Sequence, residues 1–204
     1  MGRSPKQQIF ANGRTRDWMA AGLLLVTILL SSGRLMATDW TEELGRVHFI
    51  TGLAVIAGMA IGYSRFSPFW SMFFATAYGL FAIPWQMGLI LGADIMWKER
   101  LLSIAGRLNV SLWQFFSREN VTDPLLFLTL MAMLYWVLGA SAGYRLMRGQ
   151  KTWRAILPAG VALLVIHGYD PLVLKRSWYL AFYLLFGLML VSRMYYLERR
   201  AEWE

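Results

Sequence analysis

The sequence predicts an all-α, polytopic membrane helix bundle of about six transmembrane helices, with one amphipathic helix on the outer surface. Three observations predict it. Hydrophobic residues make up 57% of 204 residues and aromatics 15%, more apolar surface than a soluble core of this size hides. Apolar runs of about 20 residues, the length that crosses the hydrocarbon core, recur along the chain. The basic residues fall in the short connections between those runs, where they act as topology signals.

The best-marked run is 124–147, PLLFLTLMAMLYWVLGASAGYRLM. Thr122 and Asp123 offer side-chain oxygens to the free N–H groups of a helix start, and Pro124 suits a first helical position. The run ends in Arg145, Arg148, Lys151 and Arg154, a cluster expected on the cytoplasmic side.

The other elements follow in order. A polar, basic leader over 1–17 precedes a first span at about 18–35, with Arg34 able to snorkel at its far end. It reads as a retained span with a cytoplasmic leader, not a cleaved signal. A second span covers about 46–63, where Gly58 and Gly62 form a small-xxx-small pair suited to close packing. After the turn SRFSP, a third span at about 69–91 is broken by Pro84, whose missing N–H is expected to kink the helix. The segment from Asp94 to Asp123 is too polar to cross. Within it, about 99–117 repeats Leu101, Ile104, Ala105, Leu108, Leu112, Phe115 and Phe116 at helical spacing, with Arg100, Arg107, Asn109 and Arg118 elsewhere. That is an amphipathic helix lying on lipid or on the protein's own spans. The fifth span, about 155–169, begins near Pro158, which a first turn tolerates, and exits through His167, Tyr169, Asp170 and Pro171. The sixth, about 177–197, has aromatics at both ends, and a charged tail over 198–204 follows.

Six spans put both termini on one side, expected to be the cytoplasm. That side then holds 12 of the 20 Lys and Arg residues and 4 of the 12 acids, the direction the positive-inside rule requires. The net charge of +8 thus reports topology and anionic lipid, not nucleic acid. No cysteine is present, which excludes disulfides and thiolate chemistry within these residues.

No catalytic constellation stands out, and the chain is expected to be non-enzymatic by itself. His48 and His167 fall toward the outer face at similar depth. Bundles ligate b-type haem through one histidine from each of two helices, so a small haem or quinone protein is one reading, and interfacial histidines that simply hydrogen-bond are the plainer one. No cofactor is otherwise called for, with haem or a pigment the exception. Asp170 before Pro171 is either a helix-exit turn or part of a polar site with Arg34, Arg46 or Asp94. Gly139 and Gly143, with small residues between them, form a second packing face whose partner is internal or another chain.

The segments VTDPLLFLTLMAMLYWVLGASAGYRLMRGQKTWRAILPAGVALLVIHGYDP and YLAFYLLFGLMLVSRMYYLERRAEW resemble the N-terminal membrane domain of bacterial membrane-anchored transglutaminase-like proteins, most closely the green non-sulfur bacterial type. The resemblance covers roughly Asp39 to Trp203 and rests on the TDPLLF helix start, the RAILPAG entry and the H-x-Y-D-P exit. In that family an outward-facing cysteine-histidine-aspartate domain follows the spans. The resemblance implies a membrane anchor or scaffold in a bacterial cytoplasmic membrane, without its enzyme and with no catalytic residue to carry over. The alternative is an accessory subunit of a larger membrane complex, such as an energy-converting or photosynthetic one. Partners are membrane lipids and either other membrane subunits or a fused outward domain.

Overall fold

The computed structural model describes residues 17–91, 94–149, 152–170 and 174–203. The leader up to residue 16, Lys151, Pro171 and the last residue of the tail lie outside the described residues. Seven α-helices account for the described chain: α1 (Trp18–Met36), α2 (Leu44–Tyr63), α3 (Pro68–Gly88), α4 (Trp97–Phe116), α5 (Leu125–Met147), α6 (Trp153–Tyr169) and α7 (Trp178–Trp203), with a 3-10 turn at Leu174–Arg176. Among the described residues there is no strand. Helices α1, α2, α5 and α7 are long and apolar enough to cross a membrane. Helix α6 is apolar but has 17 residues. Helix α3 has 21 residues and carries its apolar surface largely on Trp, Tyr and Phe, which score lower on hydropathy than aliphatic side chains.

The bundle is built outward from one pair. Helices α2 and α5 cross so closely that the two Gly-xxx-Gly pairs meet each other. A Cβ on Gly58 would fall on the Ala140 carbonyl, and one on Gly143 on the Val55 carbonyl. At the flanks, a Cβ on Gly62 would lie 2.8 Å from Met147 Cβ, and one on Gly139 3.0 Å from Ala54 Cβ. Between transmembrane helices the drive comes from such close van der Waals contact, since lipid offers no hydrophobic gain for association. On one side of this pair α1, α6 and α7 enclose Leu24, Ile28, Leu163 and Leu190. On the other, α3 and α4 close over Ile83, Met87, Ile104 and Trp136.

Two helix starts have an aspartate cap. Asp17 caps α1 by accepting from the Met19 and Ala20 amides at 3.0 and 3.4 Å. Asp123 accepts from the Leu125 amide at 2.9 Å and holds Arg107 of α4 through two hydrogen bonds of 2.7 and 2.8 Å. Pro124 therefore stands one position before the helix rather than at its first residue. Thr122 lines a cleft between the α1–α2 loop and the end of α4.

Three expectations are corrected. Helix α6 starts at Trp153, so Pro158 falls in its second turn, not its first. The missing N–H of Pro158 would leave the Arg154 carbonyl without its helical donor, and Arg145 of α5 supplies one at 2.7 Å. Helix α3 is not broken at Pro84 but runs through it to Gly88. There the Trp97 ring lies over Gly88, where a Cβ would come within 2.7 Å, and stacks on Trp85 at 4.2 Å, folding α4 back on α3. The stripe expected on α4 is also divided. Arg100, Ile104 and Ser111 are buried against the bundle, while Leu101, Ala105, Leu112, Phe115 and Phe116 are exposed. Arg100 is accommodated because its Nε donates to the Ile95 carbonyl at 2.8 Å and its guanidinium lies over Trp97.

The α2–α5 crossing makes the first prediction. Gly58→Leu and Gly143→Leu each force backbone apart and are expected to cost more than about 3 kcal/mol. Gly22→Ala, with nothing within 4 Å of the new carbon, is expected to be neutral or to stabilise by up to about 1 kcal/mol. Thermal unfolding in detergent separates the two outcomes.

Candidate functional site at the Arg34 end of the bundle

The ionised groups inside the bundle collect where α1 and α6 both terminate. Arg34, in the last turn of α1, is 0% exposed and donates through Nη2 to Asp170 Oδ2 at 2.5 Å. Asp170 caps the end of α6 and is 2% exposed. Its Oδ2 also accepts from Arg176 Nη1 at 3.1 Å, and Arg176 reaches Asp39 at 3.3 Å. The chain of charges runs from the interior, Arg34–Asp170, to the exposed Asp39. A cation suits the negative end of the α1 dipole, whereas a carboxylate at the end of α6 is opposed by it. Two guanidiniums on one carboxylate offset that opposition and the desolvation of the pair.

Arg34 therefore does not snorkel. It is enclosed, because Asp170 offers an internal counter-ion nearer than water. Its Nη1 is buried without a hydrogen-bond partner among the described residues.

Both histidines meet the last turns of α1, His167 at Arg34 and His48 at Ser32. Arg34 Nε donates to His167 Nδ1 at 3.3 Å, and His48 Nδ1 lies 2.9 Å from Ser32 Oγ. An imidazole that accepts at Nδ1 carries its proton on Nε2, so His167 has no free lone pair for iron while it holds Arg34. The site thus favours the hydrogen-bonding role for His167. Arg46 pairs instead with Glu43 at 2.6 Å and donates to the Leu89 carbonyl. Asp94 and Tyr169 are exposed. Among the described residues no group of three or more His, Cys, Asp or Glu could hold a metal ion.

Sequence reasoning did not find Arg176, Asp39 or Ser32. A signal was present: the face assigned outward carries eight basic and eight acidic residues, a balance that favours mutual pairing. It also missed the opposite end, where the cap Asp17 accepts from Arg193 Nε at 2.7 Å and ties the start of α1 to the far part of α7. Burial raises the Asp17 carboxyl, but Arg193 and the two amides outweigh it and hold the group below its ordinary value. Arg107 and the Leu125 amide likewise hold Asp123 low, against the effect of burial.

The all-helical fold with four helices of membrane-spanning length and apolarity is that of a polytopic helical membrane bundle. No protein-family model, no curated protein and no solved structure matches the chain.

Two predictions follow from the charges. Asp170→Asn leaves the buried Arg34 without its counter-ion and is expected to destabilise by about 3–5 kcal/mol, Arg34→Met costs less because Arg176 remains on Asp170, and the double Arg34→Met, Asp170→Asn change costs less than the sum; denaturant titration of the four proteins checks it. Asp17 and Asp123 titrate lower folded than unfolded, so their stabilisation is full above about pH 4, the ordinary carboxylate range, and is lost as the pH falls through their depressed values. The midpoint of unfolding should fall below pH 4, and Asp17→Asn with Asp123→Asn should flatten that dependence.

Proposed function

We propose that the chain is a non-catalytic membrane anchor and scaffold, resembling the membrane region of bacterial transglutaminase-like proteins. One observation carries most weight. The interior charges neutralise one another at one end of the bundle, and the centre is closed by the α2–α5 contact, an arrangement suited to a rigid platform. In this reading the six helices other than α4 cross a bacterial cytoplasmic membrane with both termini cytoplasmic. The Arg34 end faces outward, and α4 lies on that surface with Leu112, Trp113, Phe115 and Phe116 exposed. The cleft of about 930 Å³ between the α1–α2 loop, α4 and the start of α5 then sits beneath any outward domain.

A second reading, an accessory subunit of a larger membrane assembly, is favoured by α3. Its Phe69, Met72, Leu80 and Phe81 are all more than 65% exposed, and its helix is held mainly along one side. Purification in mild detergent distinguishes the readings. The anchor predicts an isolated polypeptide; a stoichiometric complex with other membrane subunits supports the second. Reporter fusions at residues 38, 66 and 120 test the topology. The anchor requires 38 and 120 outside and 66 inside, and the reverse pattern refutes the orientation.

A further inference from the structure

We propose that the crevice between α3 and α5 is a binding site for one anionic phospholipid, with an acyl chain in the crevice and the headgroup at Arg65 and Arg148. The inference rests on membrane insertion and is independent of the anchor assignment.

The crevice is an apolar cavity of about 280 Å³ whose walls include Gly58, Ala75, Thr76, Val137, Ala140 and Tyr144. It continues past Thr76, Trp136 and Val137, which also line a second cavity of about 340 Å³ closed by Ile104 and Leu108 of α4. The two form a slot running along the helices, the shape of an extended hydrocarbon chain. Trp136 is fixed at the junction because its indole N–H donates to the Ala75 carbonyl at 2.9 Å, over Gly79, where a Cβ would come within 2.6 Å of the indole nitrogen.

Two observations point to a polar lipid rather than bare hydrocarbon. Ser71, one turn into α3, lines the first cavity, is 4% exposed, and its hydroxyl has no hydrogen-bond partner among the described residues. A hydroxyl left unpaired in hydrocarbon is costly, and a glycerol-ester carbonyl one turn below a headgroup is a suitable acceptor. The mouth beside it is basic. Arg148 donates to the Phe66 carbonyl in the α2–α3 turn and covers the ring of Tyr144, a wall of the same cavity. That fixes an exposed guanidinium against the turn that carries the exposed Arg65. Two arginines at headgroup depth match a phosphate.

Native mass spectrometry of the detergent-purified chain, with dioleoyl phosphatidylglycerol or dioleoyl phosphatidylcholine added, tests the proposal. The unmodified chain should retain one phosphatidylglycerol in preference to phosphatidylcholine. Each of Arg65→Gln and Arg148→Gln should lower that preference about five-fold, the equivalent of about 1 kcal/mol per basic group. Val137→Trp fills the slot from its exposed side and should abolish retention of both lipids without lowering the unfolding midpoint. Arg199→Gln, at the same end of the bundle on α7, should leave the preference unchanged. Equal retention of the two lipids by the unmodified chain overturns the proposal, as does a preference that survives the double arginine change or Val137→Trp.

Discussion

The structure depends on one contact, the crossing of α2 and α5 at glycine. In water two helices are pressed together by their apolar stripes. In lipid that drive is absent, and helices associate where backbones approach closely enough for many dispersion contacts. Gly58 faces the Ala140 carbonyl and Gly143 the Val55 carbonyl, so neither helix has a side chain to hold the other away. Everything else packs on the two flanks of this pair: α1, α6 and α7 on one side, α3 and α4 on the other.

Polar groups then follow the rule that nothing buried in hydrocarbon is left without a partner if the chain can supply one. Ser31 donates to the Ala159 carbonyl at 2.7 Å, and the Tyr135 hydroxyl donates to the Ser31 carbonyl at 3.0 Å, joining α1, α5 and α6 in the interior. Arg145 satisfies the carbonyl that Pro158 leaves open. Arg34 and Asp170 extend the same logic to full charges. The exceptions without a partner among the described residues, such as the hydroxyls of Ser71 and Thr129 and the Nη1 of Arg34, are correspondingly informative. Ser71 and Thr129 line the slot between α3 and α5.

The helical class and most helix limits were legible because they are local. Apolar runs, the Asp123 cap and the turn at SRFSP act within a few residues. What the sequence left open is long range. Arg34 was one of three partners open to Asp170, and no spacing rule connecting the ends of α1 and α6 chose it over Arg46 or Asp94. Arg34 read alone at a helix end is a snorkelling residue, and only the position of α6 turns it inward. The histidines were placed at one depth, but their partners, Ser32 and Arg34, depend on how α1 rotates about its axis. Pro158 misled for a different reason: a proline looks like a helix start unless the donor that replaces its N–H, Arg145 on another helix, is known. The two Gly-xxx-Gly pairs could be read as packing faces, but their mutual contact could not.

That contact also closes the centre of the bundle, and the absence of cysteine gives it a direct test. Ala54→Cys with Gly139→Cys places two β-carbons 3.0 Å apart across the crossing, so a shift of about half an ångström between the helices brings them to the separation a disulfide needs. Oxidation in native-like membranes should give a cross-linked monomer, with the bond between α2 and α5 of one chain. A cross-linked dimer would contradict the account, because the small-residue faces would then belong to an interface between chains.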